Sequence, residues 1–177
     1  TGGEIGSVAV VTDSDYAGCK VSRQSVTGYV VWIRLTQGWY VLEIGCRRQS
    51  SVTLSSTEAE IGAMTMGVTC AIGLRHLGAT ARGHQGVTSE ELWVGCDSQS
   101  AIAVARKRGA GRGTRHLEVR VFFLQGILRH PASHLYKVAS KDMTADVMTK
   151  CGTWSREQYW ALGLRLEKGS SPEKENP

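Results

Sequence analysis

No stretch of this chain approaches the roughly 20 consecutive apolar residues that a membrane-spanning helix requires, so the protein is expected to be soluble and without a membrane partner. The chain opens on Thr1-Gly2-Gly3 without an initiating Met, and is expected to be cut from something longer. Its five cysteines (Cys19, Cys46, Cys70, Cys96 and Cys151) are odd in number and contain no C-x-x-C pair. Several lie inside apolar runs, as small core residues do, which fits a reducing compartment. His130 and His134 have a spacing seen in zinc sites, but no cysteine pair accompanies them and Pro131 lies between, which excludes a structural zinc. A G-x-S-x-G nucleophile motif is absent and no cysteine has a recognisable catalytic context, which excludes the serine and cysteine hydrolases. The G-x-G-x-G at Gly109, Gly111 and Gly113 follows an expected helix rather than a strand, so it is not a dinucleotide-binding turn but a basic loop.

What is present begins with charge. The net charge is +5 and the sequence pI about 9.1. Arg106, Lys107, Arg108, Arg112, Arg115 and Arg120 are opposed nearby only by Glu118. Such a segment suits a polyanionic ligand, with Arg112 and Arg115 as candidate contacts; a solvated helix face and loop is the competing reading. A length of 177 residues is enough for one sizeable core. A single domain over residues 1–166 is expected, followed by a polar, disordered tail over 167–177.

Residues 7–11 are apolar and β-branched and end in TDSD, as a buried strand does. Residues 28–35 and 39–44 read as two further strands, joined by Thr36-Gln37-Gly38 as a hairpin, so the first three strands are expected to be antiparallel neighbours. From Ser56 the period becomes helical, and Ile61, Met64, Val68, Ala71, Ile72 and Leu74 make an apolar face up to about Leu77. Thr57 and Glu60 have the spacing of a capping box. Gly62, Gly67 and Gly73 each weaken that helix by roughly 1 kcal/mol, so it depends on packing against a sheet. Residues 79–91 read as a loop, 92–96 as a strand, 99–107 as a helix capped by Asp97-Ser98, and 115–128 as a helix stopped by Pro131. A last strand over 135–138 and helices over 143–150 and 156–166 complete the order.

Four carboxylates stand at element ends far apart in this order: Asp13, Glu60, Asp97 and Asp146. Gathered by a fold, they repel one another unless divalent cations neutralise them. Two Mg²⁺ ions about 3.5–4 Å apart, with Mn²⁺ as the alternative, would activate a water and stabilise the leaving oxygen of an in-line displacement at phosphorus. Each acid also has a purely structural role open to it. Asp13 and Asp97 can cap turns or helices, Glu60 can complete the capping box, and Asp146 can pair with Lys150 at i,i+4. Spacing leaves Asp13 against Asp15 open, and likewise Glu60 against Glu58.

At these residues the blocks TDSDYAG, SRQSVTGYV, LSSTEAE, GCDSQSAI, TRHLEVR and DMTADVMTK occur in the order found in one family. Over residues 11–150 the chain resembles the ribonuclease H domain of copia-type retrotransposon polyproteins. The resemblance implies an RNase H-like α/β fold, a mixed five-stranded sheet flanked by helices, joined in its parent to a reverse transcriptase. It implies endonucleolytic cleavage of the RNA strand of an RNA·DNA hybrid, leaving 3′-hydroxyl and 5′-phosphate ends. The family's acidic quartet falls on Asp13, Glu60, Asp97 and Asp146, and its hybrid contacts on Ser98 and Gln99, with Ser14 added beside Asp13. An intracellular location is implied, in the cytoplasm, in virus-like particles there, or in the nucleus.

The chain departs from the family pattern in places. Tyr16 stands where Trp is usual, Gly45-Cys46 where a Trp-containing turn is usual, and LEVRVFFLQ lacks the usual Tyr-His. Residues 139–143 contain no His to match the product-release histidine of cellular ribonucleases H. Two other readings compete: a non-catalytic module that grips a duplex through the basic segment, and a strand-transfer enzyme of the integrase kind, against which the four acids in this order argue.

Overall fold

The structure, a computed structural model, describes residues 6–81, 90–109 and 117–150. Arg112, Arg115 and Cys151, the expected helix over 156–166 and the expected tail all lie outside the described residues, and with them the expected domain limits. The sheet contains β1 (Val8–Asp15), β2 (Val26–Leu35), β3 (Gly38–Arg48), β4 (Leu92–Cys96) and β5 (Ser133–Lys137), in the order β3-β2-β1-β4-β5. β1 pairs antiparallel with β2 and β2 with β3, whereas β4 lies parallel to both β1 and β5. This is the expected mixed five-stranded sheet with its first three strands antiparallel.

β1 sits at the centre, and its run of Val8, Ala9, Val10 and Val11 is buried because both faces of the sheet are covered there. Thr36 and Gln37 alone turn the β2–β3 hairpin, since Gly38, at φ 148°, already belongs to β3. A bulge follows: Val31 pairs with Glu43 and Trp32 with Val41, which leaves Leu42 without a partner. β3 is an outer strand, and Tyr40, Leu42, Ile44, Arg47 and Arg48 on it are exposed.

One face is covered by α1 (Ser56–Ala81), α2 (Gln99–Arg106) and α3 (Glu118–Leu128). Ile61, Met64, Val68 and Ala71 of α1 are fully buried against Val8, Val10, Val31, Leu92 and Val94. Burying side chains the size of Ile61, Met64 and Val68 stabilises the fold by about 1.5–3 kcal/mol each. Gly67 is what lets α1 come this close, because a Cβ there would lie 2.5 Å from Thr12 Cγ2. The helix start differs from the expected Thr57/Glu60 box: Ser55 Oγ accepts the Glu58 N–H at 3.1 Å, and Glu58 Oε2 accepts the Leu54 N–H at 2.7 Å. Glu58 is therefore the capping acid, and Glu60 is released for another role.

α2 begins with Ser98 as N-cap, its hydroxyl accepting from the Ala101 N–H. Where it ends, the buried amide of Gln125 on α3 donates to the Val104 and Gly109 carbonyls and accepts the Gly109 N–H. This pins the first part of the basic segment to α3.

The opposite face is covered by a 3₁₀ turn (Ser140–Asp142) and by α4 (Asp146–Thr149). The helix expected over 143–150 is shorter and starts later, at Asp146, because Met143 is extended, with ψ 95°. Met143, Ala145 and Met148 pack there with Val11, Val30, Tyr136 and Val138. Gly28 on β2 makes room for α4: a Cβ there would lie 2.6 Å from Ala145 O and 2.8 Å from Met148 Cβ. Among the described residues no helix is long and apolar enough to cross a membrane.

Candidate active site

The parallel pairing of β1 with β4 places Thr12 beside Cys96. The next residue along the chain after each is an acid, Asp13 still in β1 and Asp97 just past the end of β4, so the two emerge together at the same end of the sheet. α1 brings Glu60 over one face and α4 brings Asp146 from the other. The grouping shows in the electrostatics: negative charge on Asp146 and Asp97 acts on Asp13, and negative charge on Asp13 and Asp97 acts on Glu60.

Each carboxylate has one oxygen tied by a donor. Thr149 Oγ1 donates to Asp13 Oδ2 at 2.7 Å, across 136 residues of sequence. Ser14 donates its hydroxyl to Glu60 Oε1 at 2.7 Å and its N–H to the same oxygen at 3.3 Å. Ser140 Oγ donates to Asp97 Oδ2 at 3.1 Å. Lys150 Nζ pairs with Asp146 Oδ2 at 2.6 Å, the i,i+4 pair that the spacing allows. Asp13 and Glu60 are buried, while Asp97 and Asp146 are half-buried.

Burial is the first cause of the perturbed titration here. It raises the Asp13 carboxyl above its ordinary range, opposed by the Thr149 hydrogen bond and reinforced by the charges of Asp146 and Asp97. It raises Glu60 to about 7, opposed by the Ser14 hydroxyl and reinforced by Asp13 and Asp97. The hydrogen bond to Asp146 raises Lys150. Both carboxyl shifts record burial first and, added to it, negative charge gathered without enough compensation, which is the condition a divalent cation relieves.

The oxygen donors of Asp13, Glu60, Asp97 and Asp146 suit a hard divalent cation. One donor departs from that set: ligand atoms of Glu60, Cys96 and Asp97 lie within 4.8 Å of one another, so a thiol borders the site. Cys96 Sγ is 3.8 Å from Glu60 Oε2, and burial, followed by the charge of Glu60, raises the thiol well above its ordinary value.

The two open choices are resolved by position. Asp13 lies in the buried group, whereas the Asp15 carboxylate turns back over Gly18, where a Cβ would lie 1.9 Å from its Oδ2. Glu60 faces the group and Glu58 caps α1. Ser14 is beside Asp13, but its hydroxyl is directed at Glu60. Ser98 is the α2 cap, and Gln99 is exposed at the first residue of that helix. Arg106, in the basic segment, donates to the Leu135 carbonyl at 2.7 Å. His130 accepts the Ala132 N–H, and His134 stacks on Trp93 with ring centroids 4.1 Å apart, so neither is placed at the site.

Spacing gave no sign of Cys96 or Ser140. Nor did it point to Thr57 and Ser100, whose hydroxyls lie 2.8 Å apart and join Ser98 in a hydroxyl row between the starts of α1 and α2. The signal for Thr149 was its place three residues after Asp146 in TADVMTK, where a helix puts both on one side.

No protein-family model matches the chain. Over 139 residues, 78% of the chain, it is 31% identical to the retrovirus-related Pol polyprotein from transposon TNT 1-94 of Nicotiana tabacum, and it spans 10% of that polyprotein's length. Among solved structures it is similar to LC11-RNase H1, isolated from compost by a metagenomic approach: TM-score 0.57, 16% identity, covering 81% of this chain and 93% of that one. That protein has also been solved in complex with an RNA/DNA hybrid. The N-terminal RNase H domain of rv2228c from Mycobacterium tuberculosis matches with TM-score 0.53 and 20% identity, covering 89% of this chain and 96% of that one. At these identities the structural likeness is one of fold.

Proposed function

From the premise that the chain has the ribonuclease H fold and is a relative of a transposon Pol polyprotein, we propose that it is a metal-dependent endoribonuclease hydrolysing the RNA strand of RNA–DNA hybrids. The observation that carries the reading is the parallel register of β1 and β4, which sets Asp13 beside Asp97, with Glu60 and Asp146 closing on them. In the parent polyprotein the partner is a reverse transcriptase. Mg²⁺ fits the oxygen donors of all four acids and, when bound as a pair, supplies an activated water and charge compensation at the phosphorus.

The chain's own residues prepare that chemistry. Ser14, Thr149, Ser140 and Lys150 each hold one oxygen of Glu60, Asp13, Asp97 and Asp146 respectively, which fixes the carboxylate planes and directs the remaining oxygens to the cations. Glu60 and Asp13 form the dry floor of the site; Asp97 and Asp146 stand at its mouth, where substrate arrives. Gln99, exposed at the start of α2, is positioned to meet a wide minor groove displaying 2′-hydroxyls, the feature by which a protein recognises an RNA strand. Arg112 and Arg115 supply phosphate contacts from the basic segment.

The test is a gel assay of hybrid, duplex RNA and duplex DNA, with and without Mg²⁺, using the unaltered chain, Asp13→Asn and Asp97→Asn. Expected are Mg²⁺-dependent cutting of the hybrid's RNA strand alone, and its abolition in both variants with the fold retained. Undiminished cutting in either variant defeats the assignment, and hybrid binding without cutting in the unaltered chain converts the reading to a binding module.

A further inference from the structure

Apart from the acids, a cavity of about 300 Å³ lies where the ends of α2 and α3 meet the outer edge of β5. Arg106, Gln125, Arg129, Trp93, His134 and Tyr136 border it, and no carboxylate is among the described residues that line it. Its polar groups are donors in excess. The Leu92 N–H goes to the Ala132 carbonyl and the Val138 N–H to the Cys96 carbonyl, so the even-numbered residues of β5 face β4 and Leu135 turns its backbone outward. Arg106 donates to the Leu135 carbonyl at 2.7 Å, while among the described residues nothing accepts the Leu135 N–H. Arg129 donates to Gln125 Oε1 at 3.4 Å, and Gln125 is itself fixed, 1% exposed and bonded to the Val104 and Gly109 carbonyls. Each guanidinium carries five N–H donors, and no carboxylate among the described residues pairs with either. Beside them His134, half-buried, is stacked on Trp93 with ring centroids 4.1 Å apart, and Tyr136 meets Trp93 edge-on.

We propose that this cavity binds one unpaired nucleotide, its phosphate on Arg106, Arg129 and the Leu135 N–H and its base against the open face of His134. The guanidinium fork matches phosphate oxygens two at a time, and an aromatic face takes any base by stacking. The volume stands at the lower end of the roughly 300–1,000 Å³ of small-molecule pockets, enough for one nucleotide and too small for a duplex. α2 carries Gln99 beside the acids at one end and Arg106 at the other, seven residues or about 10 Å along its axis. A strand that leaves a hybrid at the acids can therefore follow α2 to the cavity. The same chemistry receives a free nucleotide or the overhanging end of a strand. The strand as source rests on the proposed function; nucleotide binding itself does not.

The experiment is calorimetric titration of the full chain, without divalent metal, with AMP, adenosine, inorganic phosphate and single-stranded oligoadenylate. Expected are one AMP per chain, bound at least about 10-fold more tightly than phosphate or adenosine, and an affinity lowered by about 10-fold or more in each of Arg106→Gln and Arg129→Gln. No AMP binding, phosphate bound as tightly as AMP, or an AMP affinity unmoved by both variants overturns the proposal. Arg129 is exposed, so Arg129→Gln decides the matter if Arg106→Gln, which also gives up the bond to the Leu135 carbonyl, fails to fold. Oligoadenylate that displaces AMP identifies the occupant as a strand end; AMP binding that oligoadenylate does not displace identifies it as a free nucleotide, and either upholds the site. Mg²⁺-dependent cleavage of a blunt-ended hybrid is measured on the unaltered chain and on Arg129→Gln, and is expected to be equal in the two. Cleavage without AMP binding removes the cavity site and spares the nuclease; AMP binding without cleavage does the reverse.

Discussion

Replacing Gly28 with Ala tests whether α4 must sit where it does. The new Cβ would meet Ala145 O at 2.6 Å, and Met148 Cβ and Thr149 Cγ2 at 2.8 Å each. Ordinary contact begins at 3.4 Å, so α4 must retreat by about 0.6–0.8 Å. A backbone oxygen and a Cβ cannot rotate out of the way. Overpacking of this kind costs about 1–3 kcal/mol, and each kcal/mol lowers Tm by on the order of 2–4 °C in a chain of this size. The retreat also carries Asp146 and the Thr149 hydroxyl away from Asp13, and a misplacement approaching 1 Å in a catalytic group costs on the order of 10²-fold in rate. The assay is steady-state hybrid cleavage beside a thermal melt. The expected result is kcat down by on the order of 10²-fold, with KM changing far less because Gln99 and the basic segment are untouched. A Gly28→Ala chain with unaltered kcat and Tm refutes the packing argument; lower Tm with unaltered kcat refutes the placement of Asp146.

Three further outcomes are expected. Glu60 titrates near 7 in the fold against an ordinary 4.5, so its contribution to stability is complete below 4.5 and is lost as pH rises through about 7. Relative to Glu60→Gln, the metal-free chain should therefore lose on the order of 3 kcal/mol across that window, and a pH-independent difference in denaturant melts would contradict it. Thr149→Val leaves a buried Asp13 oxygen without its donor and should cost about 1–3 kcal/mol along with cleavage rate, whereas Thr149→Ser should keep both; equal behaviour of the two variants would remove the hydroxyl from the account. Neutralising Arg112 and Arg115 together should weaken hybrid binding and reduce the slope of log affinity against log salt by about 2, and an unchanged slope excludes them from the footprint.

Much of this fold is legible in the residues because strands covered on both faces need continuous apolar runs. That is why residues 7–11 and 92–96 declare themselves and why the acids that end them draw notice. The antiparallel start was readable from a short polar turn at Thr36-Gln37. What stayed hidden depends on contacts that spacing does not encode. Two boxes two residues out of register, Ser55/Glu58 and Thr57/Glu60, look alike as text, and only the direction of the Glu60 side chain toward Ser14 separates them. The bulge at Leu42 leaves no trace in composition, and the extended Met143 delays a helix that the sequence pattern would start three residues earlier. Thr149 meets Asp13 only because Gly28 lets a four-residue helix lie on the sheet.

β3 has a consequence for how the isolated chain behaves in solution. Among the described residues no sixth strand receives the backbone amides and carbonyls of its outward rim, which lies beside the exposed side chains of Tyr40, Leu42 and Ile44. Such a rim is a template for strand-by-strand self-association in concentrated samples. The kink at Leu42 and the positive charges of Arg47 and Arg48 are the features that oppose it, so substitutions that straighten or neutralise this strand trade solubility away without touching the acids.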